Sequence, residues 1–333
     1  MANDPVLQVS DLHVTFQTRG SRAIRAVDGV SFDVAPGSTL GIVGESGSGK
    51  SVTSLAILGL LPSRGVQISG SIRLDGRELV GASDRSMRNL RGRRIAMVFQ
   101  DPMSSLNPVL TVGRQLTEVI RRHTSMDRPQ AAERAVEVLD RVGIPGARYR
   151  VRSYPHQLSG GMRQRVMIAM ALACEPAVLI ADEPTTALDV TIQAQVLGLL
   201  RDLVRDSGTA LILITHDLGV VAGMCDQVHV MYSGRIVESG ERHRLYARPR
   251  HHYTLGLLAS VPRLDAAHGG RLTPIPGSPR DTISWDDGCA FAPRCEAVTE
   301  ACLGMPVDLV GGVRCINPAD VAEPVGASWE PQP

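Results

Sequence analysis

The sequence predicts an α/β fold with a mixed sheet, followed by a cysteine-rich C-terminal extension. Three observations predict it. A glycine-rich loop at 44–51 lies between an apolar strand-like run and a helix-compatible segment. Nearly all-apolar strands at 177–181 and 210–214 are separated by a helical stretch, which is typical of a parallel sheet covered on both faces. After about residue 249 the composition shifts toward Pro, Gly and Cys.

The remaining elements complete this prediction. Short alternating stretches with turn signals at 6–40 indicate an antiparallel β subdomain, and apolar spacing at about 105–172 indicates a helical subdomain. A hairpin is expected at 228–237, around Ser233-Gly234. We expect three regions: an ATPase-type domain at 1–248, a C-terminal region with four cysteines at 249–317, and a disordered tail at 318–333.

Bulk composition excludes several classes of function. The 333 residues are 43% hydrophobic and 21% charged, as in ordinary globular proteins. A net charge of +1 and only 3% aromatic residues argue against a nucleic-acid partner. No apolar run approaches the roughly 20 residues of a membrane-spanning helix, and the N-terminal residues lack signal-peptide features. The sequence therefore predicts a cytosolic chain that reaches a membrane only through partners.

The loop at 44–51 fits the phosphate-binding P-loop pattern. Its glycines let backbone N–H groups turn toward phosphate oxygens, and the helix that follows adds the partial positive charge of its N-terminus. Lys50 is expected to reach the β- and γ-phosphates of ATP, while the Ser51 hydroxyl is expected to bind Mg²⁺. The ATP-binding residues predicted here are Gly44, Glu45, Ser46, Gly47, Ser48, Gly49, Lys50 and Ser51.

Polar side chains follow three further strands. Asp182 and Glu183 end an apolar strand, Gln100 follows the strand at 95–99, and His216 follows the strand at 210–214. Because ligands collect at the carboxyl ends of parallel strands, Asp182 and Gln100 are expected to join Ser51 in holding Mg²⁺. The predicted catalytic residues are Glu183, which faces the attacking water, with Gln100 and His216.

A second phosphate cradle is predicted at 158–165. Ser159, Gly160 and Gly161 open a helix, so that a hydroxyl and backbone donors face outward. One ATP does not need two cradles on one chain. We therefore expect a two-chain site, in which each ATP lies between one chain's P-loop and the other chain's 158–165 segment.

These motifs, in this order and spacing, resemble those of the ATPase subunit of an ATP-binding cassette (ABC) transporter, across about residues 6–245. The resemblance implies an ABC-type P-loop fold and ATP hydrolysis. It implies that Gln164 belongs to the signature that meets the partner's ATP, that Asp189 lies at the dimer seam, and that the loop at Gln100 couples to membrane subunits. It also implies a base-stacking aromatic before the P-loop, for which Phe16 is the candidate.

Finer matches at 100–108 and 182–191, with the long tail, resemble the dipeptide, oligopeptide and nickel importer branch. His252, Ala290 and Ala292 depart from that branch's usual pattern. The branch implies a second, related ATPase subunit, two transmembrane permease subunits and an extracytoplasmic solute-binding protein, with this chain on the cytoplasmic face of the plasma membrane. Peptide is the expected cargo, with nickel or another small solute as the alternative. A soluble non-transport ABC protein is the more distant alternative.

Four cysteines lie close together in the chain at Cys289, Cys295, Cys302 and Cys315. Disulfides are not expected in a cytosolic chain, and the spacing alone leaves a zinc site and an iron–sulfur cluster about equally supported. The importer resemblance implies a 4Fe-4S cluster, with zinc as the alternative. Because this region has few large apolar residues, the metal is expected to organise it. The other two cysteines, Cys174 and Cys225, are expected to be buried.

Overall fold

The structure is a computed structural model that describes residues 4–17, 23–186, 188–260, 274–279 and 281–321. The chain divides into two compact units. We call the first the helical unit, which comprises Met1–Gln8, Asp33–Ser38 and Arg73–Leu213. We call the second the P-loop unit, which comprises Val9–Phe32, Thr39–Ile72 and Ile214–Pro333.

Ten strands and eleven α-helices follow one another in the described residues. The strands are β1 Leu7–Phe16, β2 Ile24–Val34, β3 Thr39–Val43, β4 Val66–Leu74, β5 Arg77–Glu78, β6 Ile95–Val98, β7 Val178–Asp182, β8 Ala210–Thr215, β9 Gln227–Tyr232 and β10 Arg235–Glu241. The helices are α1 Lys50–Ile57, α2 Asp84–Leu90, α3 Pro102–Ser105, α4 Val112–His123, α5 Arg128–Arg141, α6 Ala147–Arg150, α7 Gly160–Leu172, α8 Val190–Ser207, α9 Leu218–Met224, α10 Arg242–Ala247 and α11 His252–Ala259.

Parallel strands and a cluster of helices form the helical unit. β6 pairs with β7 in parallel register, with Ile95 opposite Val178 and Val98 opposite Ala181, and β8 lies on the other side of β7. All five residues of β7 are buried, as expected for a strand covered on both faces. Helices α4, α5 and α7 contact one another, and their buried residues include Leu116 and Leu139. The predicted helical subdomain is present at these helices.

A mixed sheet forms the frame of the P-loop unit. β3 pairs in parallel with β9, and β9 pairs antiparallel with β10 through the turn at Ser233-Gly234. This hairpin matches the prediction. Ser233 has a φ of +43° and Gly234 a φ of +84°, as a tight hairpin turn requires. Most of β1, β2 and β4 also belongs to this unit, where these strands are neighbours in the order β2-β1-β4.

The C-terminal extension, residues 249–317, belongs to the P-loop unit and contains more apolar packing than expected. Trp285 and Phe291 are buried, and Phe291 packs edge-on against Tyr232 of β9 and tilted against Tyr253. An isolated antiparallel bridge joins Val313 to β10. The expectation that a metal organises this region rested on a scarcity of large apolar side chains, whereas the extension does share aromatic packing with the sheet. Helices α10 and α11 lack strong periodicity in sequence and were not predicted.

The predictions for Cys225, Cys174 and the C-terminal tail have different outcomes. Cys225 is buried, with 1% exposed, but Cys174 is only half-buried, near the exposed carboxylate of Glu175, so its predicted burial is wrong. The tail predicted at 318–333 lies outside the described residues from 322 onward, whereas Ala319 donates a hydrogen bond to the Arg250 carbonyl.

Within the part of the chain that the structure describes, no helix combines the length and apolar character needed to cross a bilayer.

Candidate functional site

The P-loop connects β3 to α1, as the sequence predicts. Gly44, Gly47 and Gly49 have φ values of +156°, +83° and +105°, which favour glycine over residues with a side chain. A Cβ at Gly44 would lie 2.2 Å from the Met231 carbonyl oxygen, and a Cβ at Gly49 would lie 2.4 Å from the Ala26 carbonyl oxygen. The loop therefore passes so close to neighbouring backbone that these two positions have no room for a side chain.

Lys50 is the first residue of α1, and its side chain turns back over the loop. It is buried, and its ammonium donates to the carbonyl oxygens of Gly44 at 2.7 Å and Glu45 at 2.9 Å, and to Ser48 Oγ at 3.3 Å. These neutral acceptors hold the ammonium inside the ring of the loop. An incoming phosphate would offer it anionic oxygens, which bind an ammonium more strongly than neutral carbonyls do. Ser51, one residue on, is exposed.

In the helical unit, Glu183 and Gln100 meet in a polar cluster. Gln100 Nε2 donates to Glu183 Oε2 at 2.9 Å, and Thr186 Oγ1 donates to the same oxygen at 2.9 Å. Glu183 has a φ of +46°, a conformation that non-glycine residues rarely adopt. Asp182 ends β7 and is 7% exposed. The structure therefore joins two of the three predicted catalytic residues in one hydrogen-bonded group.

The signature segment forms the start of α7, also in the helical unit. Ser159 is the N-cap residue, and its Oγ accepts a hydrogen bond from the Met162 N–H at 3.4 Å. Both Ser159 and Gly160 are exposed, so this helix start faces solvent. A Cβ at Gly161 would lie 2.7 Å from Ile192 Cγ2 of α8. Close packing between α7 and α8 therefore favours glycine at this position. Gln164 is 2% exposed and lies inside the unit.

Three further predicted site residues, Asp189, His216 and Phe16, lie outside the P-loop, the Glu183 cluster and the signature segment. Asp189 is exposed and caps α8, where its carboxylate accepts from the Ile192 N–H at 2.9 Å. His216 is exposed after β8, and Phe16 is half-buried at the end of β1. The structure gives Asp189 a local role at the helix start and leaves the predicted roles of all three residues as predictions.

A cavity of about 400 Å³ opens in the P-loop unit beside the end of β1. Its lining includes Thr15, the neighbour of Phe16, together with Asp28 and Trp285. Arg235 donates to the buried Asp28 carboxylate at 2.7 Å. Burial by itself raises the pKa of Asp28, but the Arg235 guanidinium and His13 outweigh it and hold that pKa below its ordinary value.

The sequence interpretation missed two residues that contact the P-loop. The Arg294 guanidinium forms a bidentate pair with the Glu45 carboxylate, with N–O distances of 2.6 and 3.0 Å, and this pair raises the pKa of Arg294. The backbone N–H of Glu45 donates to the Tyr253 hydroxyl at 2.7 Å. Both partners are more than 200 residues from Glu45 in sequence, and no local pattern links them to it.

The four cysteines of the extension are free thiols in the P-loop unit. Cys289 and Cys302 are buried, and the Cys289 N–H donates to the Cys302 carbonyl at 2.8 Å. Burial raises the pKa of Cys289 to about 11, and the other three thiols contribute to the increase. Even so, the described residues contain no group of three or more His, Cys, Asp or Glu side chains placed to hold a metal ion. A metal-binding extension is therefore not established.

Comparison with known proteins assigns both parts of the chain. Residues 27–186 match the ABC transporter family, and residues 237–302 match the oligopeptide/dipeptide transporter C-terminal region. The oligopeptide transport ATP-binding protein OppD of Salmonella typhimurium is 52% identical over 301 residues, covering 90% of this chain and 89% of that protein. The dipeptide transport ATP-binding protein DppD of Bacillus subtilis is 54% identical over 293 residues, covering 88% and 87%.

A solved structure agrees with this assignment. A dimeric ATP-binding cassette in a post-hydrolysis state, bound to ADP and Pi, superimposes with a TM-score of 0.63 at 27% identity. The superposition covers 71% of this chain and 98% of the solved chain. This agreement confirms the ABC-type P-loop fold. Because relatives at about half identity extend over nearly the whole chain, the chain belongs to the ABC transporter family, as an ATPase subunit of the oligopeptide and dipeptide importer branch.

Proposed function

We propose that this chain binds and hydrolyses MgATP and that hydrolysis drives the uptake of peptides across the plasma membrane. The observation that carries the proposal is the P-loop itself, in which buried Lys50 lies within a ring of loop acceptors at the start of α1. That arrangement suits a phosphate chain, because the ammonium and the helix N-terminus both favour negative charge. Peptide as cargo is supported by the names of the relatives.

Each polar residue has a proposed role in hydrolysis. Lys50 holds the β- and γ-phosphates, and Ser51, Asp182 and Gln100 hold Mg²⁺, which neutralises charge on the phosphates. Glu183 accepts a proton from the attacking water. Gln100 and Thr186 both donate to one oxygen of its carboxylate, which fixes the position of this proposed base. His216 contacts the γ-phosphate, and Phe16 stacks on the adenine base.

We infer that a complete site needs a second ATPase subunit. Ser159 and Gly160 form an exposed helix start of the kind that binds anions, and this chain already has the P-loop for its own ATP. The relative with ADP and Pi is described as dimeric. In this arrangement Ser159, Gly160 and Gly161 meet the partner's ATP, Gln164 supports them from inside α7, and Asp189 lies at the seam.

The transporter context defines the other partners. We propose that two permease subunits anchor this chain to the cytoplasmic face of the membrane and that the loop at Gln100 contacts them. A solute-binding protein would deliver peptide from outside. Nickel or another small solute is the alternative cargo, since substrate selection belongs to other subunits.

We further propose that Cys289, Cys295, Cys302 and Cys315 hold a 4Fe-4S cluster, with zinc as the alternative. The support is that all four are free thiols and that the other three influence the ionisation of Cys289. One zinc ion draws its ligands within about 2.3 Å of a single centre. A 4Fe-4S cluster is likewise held by four cysteine thiolates. The resemblance to the importer branch is what favours the cluster over zinc. The cluster would brace the extension, which already packs against β9.

The experiment that tests the function is Glu183→Gln in the assembled transporter. The amide keeps the shape and the contact with Gln100 but no longer accepts a proton, so ATP binding should survive. Turnover should fall by about 10²-fold or more, equivalent to about 2.7 kcal/mol of transition-state stabilisation. Glu175→Gln, on the surface of the same unit, is the matched control. Unchanged steady-state turnover in Glu183→Gln would refute the role of Glu183.

A further inference from the structure

We propose that Arg294 and Tyr253 of the C-terminal extension position the phosphate-binding loop by holding Glu45, so that the extension sets the affinity for ATP. This inference rests on the proposed function, because it assigns these residues to the same nucleotide site. Glu45 is the second residue of the glycine-rich loop, and all three residues belong to the P-loop unit.

The contact between Arg294 and Glu45 is bidentate and largely shielded from water. Arg294 Nη1 lies 2.6 Å from Glu45 Oε2, and Arg294 Nη2 lies 3.0 Å from Oε1. The Arg294 side chain is 1% exposed and the Glu45 side chain 25% exposed. Two parallel charge-assisted hydrogen bonds fix the orientation of a carboxylate as well as its position. The pair therefore holds the Glu45 side chain in a single geometry.

Arg294 is itself held firmly by the extension. Its Nε donates to the Pro276 carbonyl at 2.9 Å, and the guanidinium lies 5.8 Å from the ring centroids of both Tyr232 and Phe291. Contacts with aromatic faces stabilise a buried guanidinium. Since the hydrogen bond to Pro276 and both rings fix the donor, Arg294 can fix Glu45 in turn.

Tyr253 holds the backbone of the same residue. Its hydroxyl accepts the Glu45 N–H at 2.7 Å, and the side chain is completely buried against Tyr232 and Phe291. Two side chains of the extension thus hold Glu45 at its carboxylate and at its amide. The Glu45 carbonyl faces inward, where it accepts from Lys50 Nζ at 2.9 Å and from the Ser48 N–H at 3.2 Å. Fixing Glu45 therefore also fixes the positions of Ser48 and Lys50.

A second connection supports the same coupling. Trp285 Nε1 donates to the Ser233 carbonyl at 2.9 Å, and the next residue, Gly234, donates its N–H to the Ser48 carbonyl at 2.9 Å. Trp285 is buried and lies in the extension. The hairpin turn of β9 and β10 thus transmits a further contact from the extension to the loop.

The ion pair also neutralises a negative charge close to the phosphate-binding loop. Glu45 places a carboxylate in a loop whose ligand is an anionic phosphate chain, and like charges at close range repel. The Arg294 guanidinium neutralises that carboxylate and directs its oxygens toward the extension. Without Arg294, the free carboxylate would oppose the phosphates and the loop would lose its preorganised shape, so that binding ATP would include the cost of ordering it.

The test is MgATP binding by the full-length chain with Arg294→Met, which keeps the stem volume against the aromatic rings. We expect the Kd for MgATP to rise about tenfold at low ionic strength, and to rise less at high salt because salt screens the exposed repulsion. Arg294→Lys keeps the charge but not the bidentate geometry, so its Kd should be intermediate. Adding Glu45→Gln to Arg294→Met should restore the part of the affinity that was lost to repulsion, since it removes the unpaired carboxylate, but not the part that was lost with the fixed shape of the loop.

The matched control is Arg242→Met, which changes a half-buried arginine of α10 in the same unit. Arg242 donates to the Ala222 carbonyl at 2.7 Å. Its replacement should lower stability and leave the Kd for MgATP close to that of the wild type. The proposal is overturned if Arg294→Met binds MgATP as the wild type does, or if adding Glu45→Gln restores none of the lost affinity. A wild-type chain that does not bind MgATP would instead refute the proposed function.

Discussion

Replacing Gly49 by alanine tests how tightly the backbone encloses the phosphate-binding loop. Gly49 has a φ of +105° and a ψ of −2° as the residue before α1. Its new Cβ would lie 2.4 Å from the Ala26 carbonyl oxygen and 2.7 Å from Met231 Cε. The methionine tip can move aside, but Ala26 belongs to β2, so the backbone of the strand or of the loop must shift.

Three contributions determine how much Gly49→Ala changes the free energy of unfolding. Forcing alanine into this conformation costs about 1–3 kcal/mol, and overpacking against a fixed carbonyl costs about 1–3 kcal/mol more. Alanine also lowers the entropy of the unfolded chain, which offsets about 0.4–1 kcal/mol. Gly49→Ala should therefore lower the free energy of unfolding by roughly 1–5.6 kcal/mol. Because the Gly49 carbonyl also accepts from Thr53, the start of α1 should shift and MgATP binding should weaken.

Gly47→Ala is the matched comparison in the same loop. Its φ is +83°, but a Cβ there meets no atom of the described residues within 4 Å. It should have the strain of about 1–3 kcal/mol without the clash, which after the same entropy offset leaves a net loss of about 0–2.6 kcal/mol. Urea unfolding of both full-length variants gives the two free energies, and a nucleotide titration gives the affinities. Equal stability of the two variants would show that the Ala26 contact does not constrain the loop.

Three further predictions concern the other parts of the chain. Ser159→Arg should leave MgATP binding by this chain intact but abolish hydrolysis at the partner's P-loop; normal hydrolysis there would refute the two-chain site. Cys302→Ser should bleach the brown colour expected of anaerobically purified protein, with its absorption near about 400 nm, while MgATP binding survives. A colourless preparation with stoichiometric zinc and no iron would favour zinc. Burial lowers the pKa of His229 to about 4, so its contribution to stability is full above pH 6.5 and declines as pH falls toward 4, at about 1.4 kcal/mol per pH unit. His229→Leu should remove that slope from acid unfolding curves; an unchanged slope would contradict it.

Local patterns located the P-loop and the strand ends because each of these motifs is continuous in the chain. The glycines at 44–49 are required by the path of the backbone itself, as the positive φ values and the close Met231 and Ala26 carbonyls show. The apolar run of β7 delivers Asp182 to a strand end because a strand buried on both faces must be apolar throughout. Such features need no knowledge of distant residues, so the sequence is enough to locate them.

Other residues have a second role that the sequence does not reveal. Asp189 was predicted at a dimer seam, and the structure shows that its carboxylate caps α8. Gly161 was predicted as a phosphate donor, and the structure shows that Ile192 leaves it no room for a Cβ. A motif can thus combine local folding requirements with catalytic ones, and only contacts between helices separate the two.

Patterns along the chain located the P-loop, the strand ends beside it and the four cysteines, and their resemblance to a known family indicated the class of protein. The contacts of the C-terminal extension emerge only in the folded chain. The extension joins the P-loop unit, packs Phe291 against Tyr232, and brings Arg294 to Glu45 across 249 residues. The physical reason is that an ion pair needs only two complementary side chains and leaves no periodic pattern around either one. Its partners become known only when the folded chain brings them together.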